Sequence, residues 1–240
     1  MPKHFLLNKE GRIATLIFNR PEKRNPLNEE ILLELESLLH QVRDDPQVRV
    51  MILTGSGNTF SAGADLSQIR GIESEQERQR IFAQYRQRRG RLVGRVLELL
   101  VNLEPMTIAA INGYAVGGGW ALALGCDLKI AVEEAQFWFP EVDLGVPLSA
   151  GSTALLVAQV GPTRAKEIII TCRHYSAAEL LAMGMLNRVV RKDELARTVS
   201  ELAQSLVSKN PAAVMGSKLI VNTVTSGKAP VQHDLLLDRG

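Results

Sequence analysis

The sequence predicts an α/β fold built on parallel strands and closed by helices at its C-terminal end. Two short, nearly continuous apolar runs, Val48 to Thr54 and Met106 to Ile111, have the character of strands buried on both faces, as parallel strands are. Each leads into a glycine-bearing turn and then into helix-forming sequence, the alternation expected of an α/β chain. After the second turn the chain ends in two helical patterns with no later strand signal. With 240 residues it can bury a full core as one domain with a small helical appendix.

The elements follow in order. His4 to Asn8 and Ile13 to Phe18 read as a hairpin around Lys9-Glu10-Gly11-Arg12. A helix starts near Asn28, its apolar residues Ile31, Leu32, Leu35, Leu38, Leu39 and Val42 falling on one face, and Asp45-Pro46 ends it. Glu75 to Leu103 looks helical but interrupted at Gly90 and Gly94, a charged excursion able to cover a pocket. Its arginines, Arg78, Arg80, Arg86, Arg88, Arg89, Arg91 and Arg95, read as a solvated face. Pro105 to Cys126 carries no charge, yet its five glycines and its asparagine suit a buried strand, turn and helix better than a membrane span. Ser176-Ala177-Ala178-Glu179 is a capping box opening a short helix. Asp193 to Ser208 and Ala212 to Thr225 read as two helices separated by Asn210-Pro211.

Composition excludes several classes. A charged fraction of 22% beside 45% apolar residues argues against a disordered or fibrous chain. A net charge of +2 gives no bulk reason to expect nucleic acid. Cys126 and Cys172 stand apart from any metal-ligand spacing, so both are expected reduced and buried. Met1 to Phe5 leads into a strand and shows no secretory signal, which makes the cytoplasm the expected compartment.

The two turns carry the chemistry. Phe60-Ser61-Ala62-Gly63-Ala64-Asp65 and Gly113-Tyr114-Ala115-Val116-Gly117-Gly118-Gly119 can hold an oxyanion between two backbone N–H groups, because glycine lets a backbone approach a ligand closely. Pro140-Glu141 follows and offers a carboxylate. Neither turn matches a dinucleotide fingerprint or a P-loop, and no Gly-x-Ser-x-Gly elbow is present.

Four segments together resemble the enoyl-CoA hydratase/isomerase, or crotonase, family: Arg20-Pro21-Glu22-Lys23-Arg24-Asn25-Pro26-Leu27-Asn28, Phe60 to Leu66, Ile111 to Gly119, and Pro140-Glu141-Val142-Asp143-Leu144-Gly145-Val146. The resemblance implies a spiral of ββα units over residues 1–192 and a helical region over 193–240 that builds homotrimers, often paired into hexamers. It implies an acyl-CoA thioester substrate, with coenzyme A arriving as part of that substrate and no resident cofactor or metal. The oxyanion N–H groups would be those of Ala64 and Gly118. The Ala62 carbonyl would meet the adenine, Lys23 and Arg24 would lie near the CoA phosphates, and Asp65 and Leu66 would complete the CoA-binding turn.

One position departs from the hydratases. They carry a glutamate where this chain has Ala121, and it works with a second glutamate matched here by Glu141. Adding water needs one group to activate it and another to manage the C2 proton, whereas a double bond can be shifted with a single carboxylate. The expected reaction is therefore enoyl-CoA isomerisation with Glu141 as base. Hydration, decarboxylation and thioester hydrolysis are the alternatives within the family, and a non-catalytic RNA-binding or scaffold protein is the alternative outside it. Asp143 would share the face of Glu141 if that segment were extended, and Asp127 has the wrong helical phase. Ser149 stands where dienoyl-CoA isomerases of the family carry an aspartate. Trp120, Phe137, Trp138 and Phe139 suit core packing better than an acyl pocket, and His174 has no partner spacing.

Overall fold

A hairpin sets the edge of the main sheet. In the computed structural model, which describes residues 3–67, 72–148 and 151–225, β1 (Phe5–Glu10) pairs antiparallel with β2 (Ile13–Phe18), and Gly11 turns the corner at φ +58°. The chain then forms β3 (Pro26–Leu27) and α1 (Glu29–Asp44). Asn28 caps α1 by accepting from the Ile31 N–H at 2.9 Å, and all six residues of its expected apolar face are buried. β4 (Val50–Gly55) returns parallel to β2 and is followed by β5 (Thr59–Ser61) and β6 (Gly63–Ala64).

α2 (Glu75–Val101) runs unbroken through Gly90 and Gly94. An interior glycine costs a helix only about 1 kcal/mol. That is less than the burial of Val93, Val96, Leu97 and Leu100 on the same helix returns. Arg95 fixes its outer side to α1 through an ion pair with Glu36. β7 (Met106–Ile111) lies parallel to β4 and leads through β8 (Tyr114–Val116) into α3 (Gly118–Leu124), every residue of which is buried.

The remaining strands are short: β9 (Leu128–Val132) and β10 (Gln136–Trp138), then β11 (Tyr175–Ser176) and β12 (Arg188–Val190) on either side of α5 (Ala177–Ala182). α4 (Ser152–Thr171), bent at Gly161-Pro162, precedes β11. The capping box of α5 forms as expected, and α6 (Leu195–Val207) and α7 (Pro211–Thr225) complete the described chain.

The main sheet has the order β1-β2-β4-β7-β9-β12 and is parallel beyond the first pair. A second sheet, β11-β10-β8-β5, and the pair β3-β6 stand beside it. Because β4 feeds β5 and β7 feeds β8, both glycine turns are delivered to that second layer, where parallel pairing of β5 with β8 brings them side by side. Trp120, Phe137 and Phe139 are core residues, Trp120 stacking on Phe139 with ring centroids 4.4 Å apart. No helix among the described residues is long and apolar enough to cross a membrane.

Candidate active site

The two turns meet through a position that only glycine fills. Gly63 has φ +76°, and a Cβ there would lie 2.5 Å from the Val116 carbonyl oxygen and 3.4 Å from the Gly118 nitrogen. The Asp65 N–H donates to the Leu27 carbonyl at 3.0 Å. Strand alternation therefore turns the preceding Ala64 N–H away from β3. Gly118 opens α3, so its N–H has no carbonyl four residues back within the helix. Ala64, Gly117 and Gly118 line one cavity of about 110 Å³. Ala64 sits in a two-residue strand rather than at a helix start.

Glu141 faces that backbone. The Gly117 N–H donates to the Trp138 carbonyl at 3.0 Å, which aligns the end of β10 with the second turn. The Glu141 Oε1 lies 3.0 Å from where a Cβ on Gly117 would be. Its Oε2 is buried and has no hydrogen-bond partner. Burial pushes this carboxyl above its usual range, partly offset by its own backbone N–H and by the Arg89 charge. Among the described residues Glu141 is the sole carboxylate on the cavity wall.

Arg89 was expected on a solvated face and instead enters this cavity. Its guanidinium packs against Gly118, so closely that a Cβ there would collide with Nη2. Its Nε is buried without a partner, and among the described residues no hydrogen bond or ion pair holds the side chain. Burial lowers its pKa while Tyr85 and Glu141 oppose that shift. The sequence did carry a signal: Tyr85, Arg89, Val93 and Leu97 recur every fourth residue, which puts Arg89 on the buried face of α2. Tyr85 donates to the Leu27 carbonyl at 3.2 Å and closes the wall beside it.

Ala62 and Leu66 line the same cavity. Asp65 lies at its rim, 3.6 Å from Arg20. Burial raises its carboxyl, but hydrogen bonds from Ser67 and the charges of Arg20 and Lys23 leave it below its usual range. Lys23 and Arg24 are exposed and do not reach the cavity wall; the Arg24 carbonyl accepts from the Ala62 N–H at 2.9 Å. Ala121 is buried behind the wall rather than on it. Asp143 falls in a turn and is exposed, so the extended geometry that would have aligned it with Glu141 does not occur. Asp127 is committed elsewhere, accepting from Thr107 and pairing with Lys218 at 2.7 Å. His174 stacks on Trp138 at 4.0 Å, both cysteines are free and buried, and Ser149 lies outside the described residues. A larger recess of about 810 Å³, between α7 and the ends of β7 and β9, contains no residue of either glycine turn, so size alone does not mark the site.

Comparison with known proteins places this arrangement. The family model for enoyl-CoA hydratase/isomerase matches residues 8–236. The chain is 38% identical to the short-chain-enoyl-CoA hydratase of Clostridium acetobutylicum, covering 90% of this chain and 80% of that protein. It is likewise 38% identical to the crotonyl-CoA hydratase of Syntrophomonas wolfei, over 92% and 82%. The crystal structure of an enoyl-CoA hydratase from Bacillus anthracis superposes with a TM-score of 0.86 at 32% identity, covering 99% of this chain and 88% of that one. The chain belongs to the enoyl-CoA hydratase/isomerase, or crotonase, family and is an acyl-CoA enzyme of that family.

Proposed function

We propose that this enzyme moves the double bond of an enoyl-CoA from C3 to C2. The Ala64 and Gly118 N–H groups hold the thioester oxygen, and Glu141 removes a C2 proton. The electrons of that C–H bond enter the enolate, whose charge the two N–H groups stabilise. The protonated Glu141 then gives the proton to C4, the C3–C4 double bond becomes C2–C3, and the carboxylate is regenerated. A base that must both take and return a proton works best with a pKa drawn towards the operating pH, the direction in which burial moves Glu141. The Ala62 carbonyl meets the adenine, Lys23 and Arg24 face the CoA phosphates from outside the cavity, and Asp65 and Leu66 shape the turn between them.

The observation that carries this reading is the single carboxylate: among the described residues only Glu141 brings a carboxylate to the cavity, and Ala121 presents a methyl behind it. The names of the relatives favour hydration as the second reading. The test is to follow 3-enoyl- and 2-enoyl-CoA thioesters by mass spectrometry and by the absorbance of the conjugated thioester. Conversion of a 3-enoyl-CoA without mass change supports isomerisation; gain of water by a 2-enoyl-CoA at about 10 per second or faster would establish the hydratase instead. We also propose assembly into trimers or hexamers through residues 193–240, where α7 leaves the apolar side chains of Met215, Leu219, Val221 and Val224 exposed. Light scattering at graded concentration reads the mass directly.

A further inference from the structure

Arg89 is unexplained by a reaction that needs two N–H donors and one base. A guanidinium stays charged at every accessible pH, and burying one without an anion or hydrogen-bond acceptor is unfavourable. Here the head group lies in the cavity against Gly118, with Nε buried and unpartnered and, among the described residues, no hydrogen bond or ion pair to the side chain. Glu141 is close enough to feel its charge but is not bonded to it. Apart from Tyr85, whose hydroxyl donates to the Leu27 carbonyl, and Ser152, the rest of the described wall is apolar or backbone, Val93, Val116 and Leu148 among others. Glu141, the one carboxylate on the described wall, is not bonded to the guanidinium, and the planar fork of arginine is suited to a carboxylate held through two parallel hydrogen bonds.

We propose that Arg89 binds a carboxylate carried by the acyl group, so that the substrate is a short acyl-CoA with a second carboxylate at its far end. This rests on the reading that the cavity is the acyl site, and it adds the chemical class of the chain. The volume of about 110 Å³ is small beside the 300–1,000 Å³ usual for ligand pockets, which restricts the chain to a few carbons beyond the thioester. A terminal carboxylate in so small a space lies near Glu141. The guanidinium between them lets both carry negative charge while Glu141 acts as base.

Binding of two saturated thioesters separates this inference from the isomerase reading, because neither has a double bond to move. Glutaryl-CoA and pentanoyl-CoA have the same number of acyl carbons and differ in the terminal carboxylate. By titration calorimetry the wild-type enzyme is expected to bind glutaryl-CoA about 10- to 100-fold more tightly, the range of a charge-assisted pair. Arg89→Met is expected to abolish or reverse that preference, and Arg89→Lys to keep part of it. The ligand-free Arg89→Met protein is expected to melt no lower than wild type, since it loses a part-buried charge that makes no hydrogen bond or ion pair with a described residue. Equal affinity of the wild type for the two thioesters overturns the proposal, and this comparison stands even if the variants fail to fold. So does a sharp fall in melting temperature in Arg89→Met, which would show that the guanidinium is already compensated within the protein. A glutaryl-CoA preference without turnover of any 3-enoyl-CoA sinks the isomerase reading alone; turnover of neutral 3-enoyl-CoA without the preference sinks this one alone.

Discussion

Lys218 and Arg89 are both cations carried by helices into the protein, and they end in opposite surroundings. The Lys218 ammonium donates to the Leu103 and Pro105 carbonyls at 2.6 and 3.0 Å and pairs with Asp127 at 2.7 Å. Asp127 in turn accepts from the Thr107 N–H and hydroxyl at 2.7 and 2.9 Å. Lys218 and Asp127 are thus each other's partners. At the cavity, the Arg89 Nε and the Glu141 Oε2 are both buried and both unpartnered. A satisfied buried network fixes geometry, and here it pins α7 to the ends of β7 and α3. An unsatisfied one is costly in the free protein and keeps its groups available for substrate.

The largest effect expected from breaking this contrast is on rate. Glu141→Gln preserves shape and cannot accept the C2 proton, so turnover should fall by roughly 10²- to 10⁴-fold. The same change should stabilise the fold at neutral pH. With its pKa raised in the folded state, Glu141 contributes stability that is complete below the ordinary carboxylate range and is lost as pH rises through the folded value. Slower turnover together with greater resistance to urea is the signature sought. A variant within a few-fold of wild type in rate would remove Glu141 from the mechanism.

At the satisfied cluster the same kind of edit should act on stability and not on chemistry. Lys218→Met leaves the part-buried Asp127 without its paired countercharge; breaking a fully buried pair costs about 3–5 kcal/mol, and a loss towards the lower end of that range is expected here. Urea denaturation measures this directly. A loss below about 1 kcal/mol would mean that the Thr107 hydrogen bonds alone suffice for Asp127.

Between these in interest, and smaller in size, is the coupling of the two unpartnered groups. Because the Arg89 charge holds the Glu141 carboxyl down against the effect of burial, Arg89→Met should raise it further. The acid limb of the pH profile of kcat/KM reports the free enzyme and should move to higher pH in that variant. An unmoved limb would show that Arg89 and Glu141 do not sense one another.

How much of this the sequence disclosed depended on the range of the interaction. α1 was legible because six apolar residues at helical spacing all end buried, and the glycine turns because Gly63 meets the Val116 carbonyl at a distance no side chain tolerates. The strands β5, β8, β10 and β11 were not, since two or three residues are too few to display alternation. Arg89 was hidden by its neighbours: Arg88 and Arg91 make the local run look uniformly solvated, and only the phase set by Tyr85 and Val93 singles it out. Gly90 and Gly94 misled in the other direction. Tertiary burial of α2 overrode their low helical preference. The face of Asp143 depended on whether residues 141–145 were extended or turned, which no local spacing decides.

The smallest expected effect comes from Glu179, a carboxylate treated oppositely to Glu141 and lying at the surface. It accepts from the Ser176 N–H at 2.8 Å, from Arg173 at 2.7 Å and from the Ser176 hydroxyl at 2.8 Å, and these donors hold its pKa down to about 2. Ser176→Ala removes the hydroxyl that both donates to Glu179 and accepts its backbone N–H, while the backbone donor and Arg173 remain. Loss of such a cap costs about 1 kcal/mol at neutral pH, and less at high salt because Glu179 and Arg173 are both well exposed. The pH sign is opposite to that of Glu141. A depressed carboxyl contributes stability above its unfolded value, and that contribution is lost as pH falls towards about 2. The cost of Ser176→Ala, read from paired urea melts, should therefore shrink between pH 7 and pH 3, while the Glu141→Gln gain should shrink along the same path. If the Ser176→Ala cost is the same at both pH values, the cap acts through its hydroxyl alone and the ionised state of Glu179 adds nothing to it.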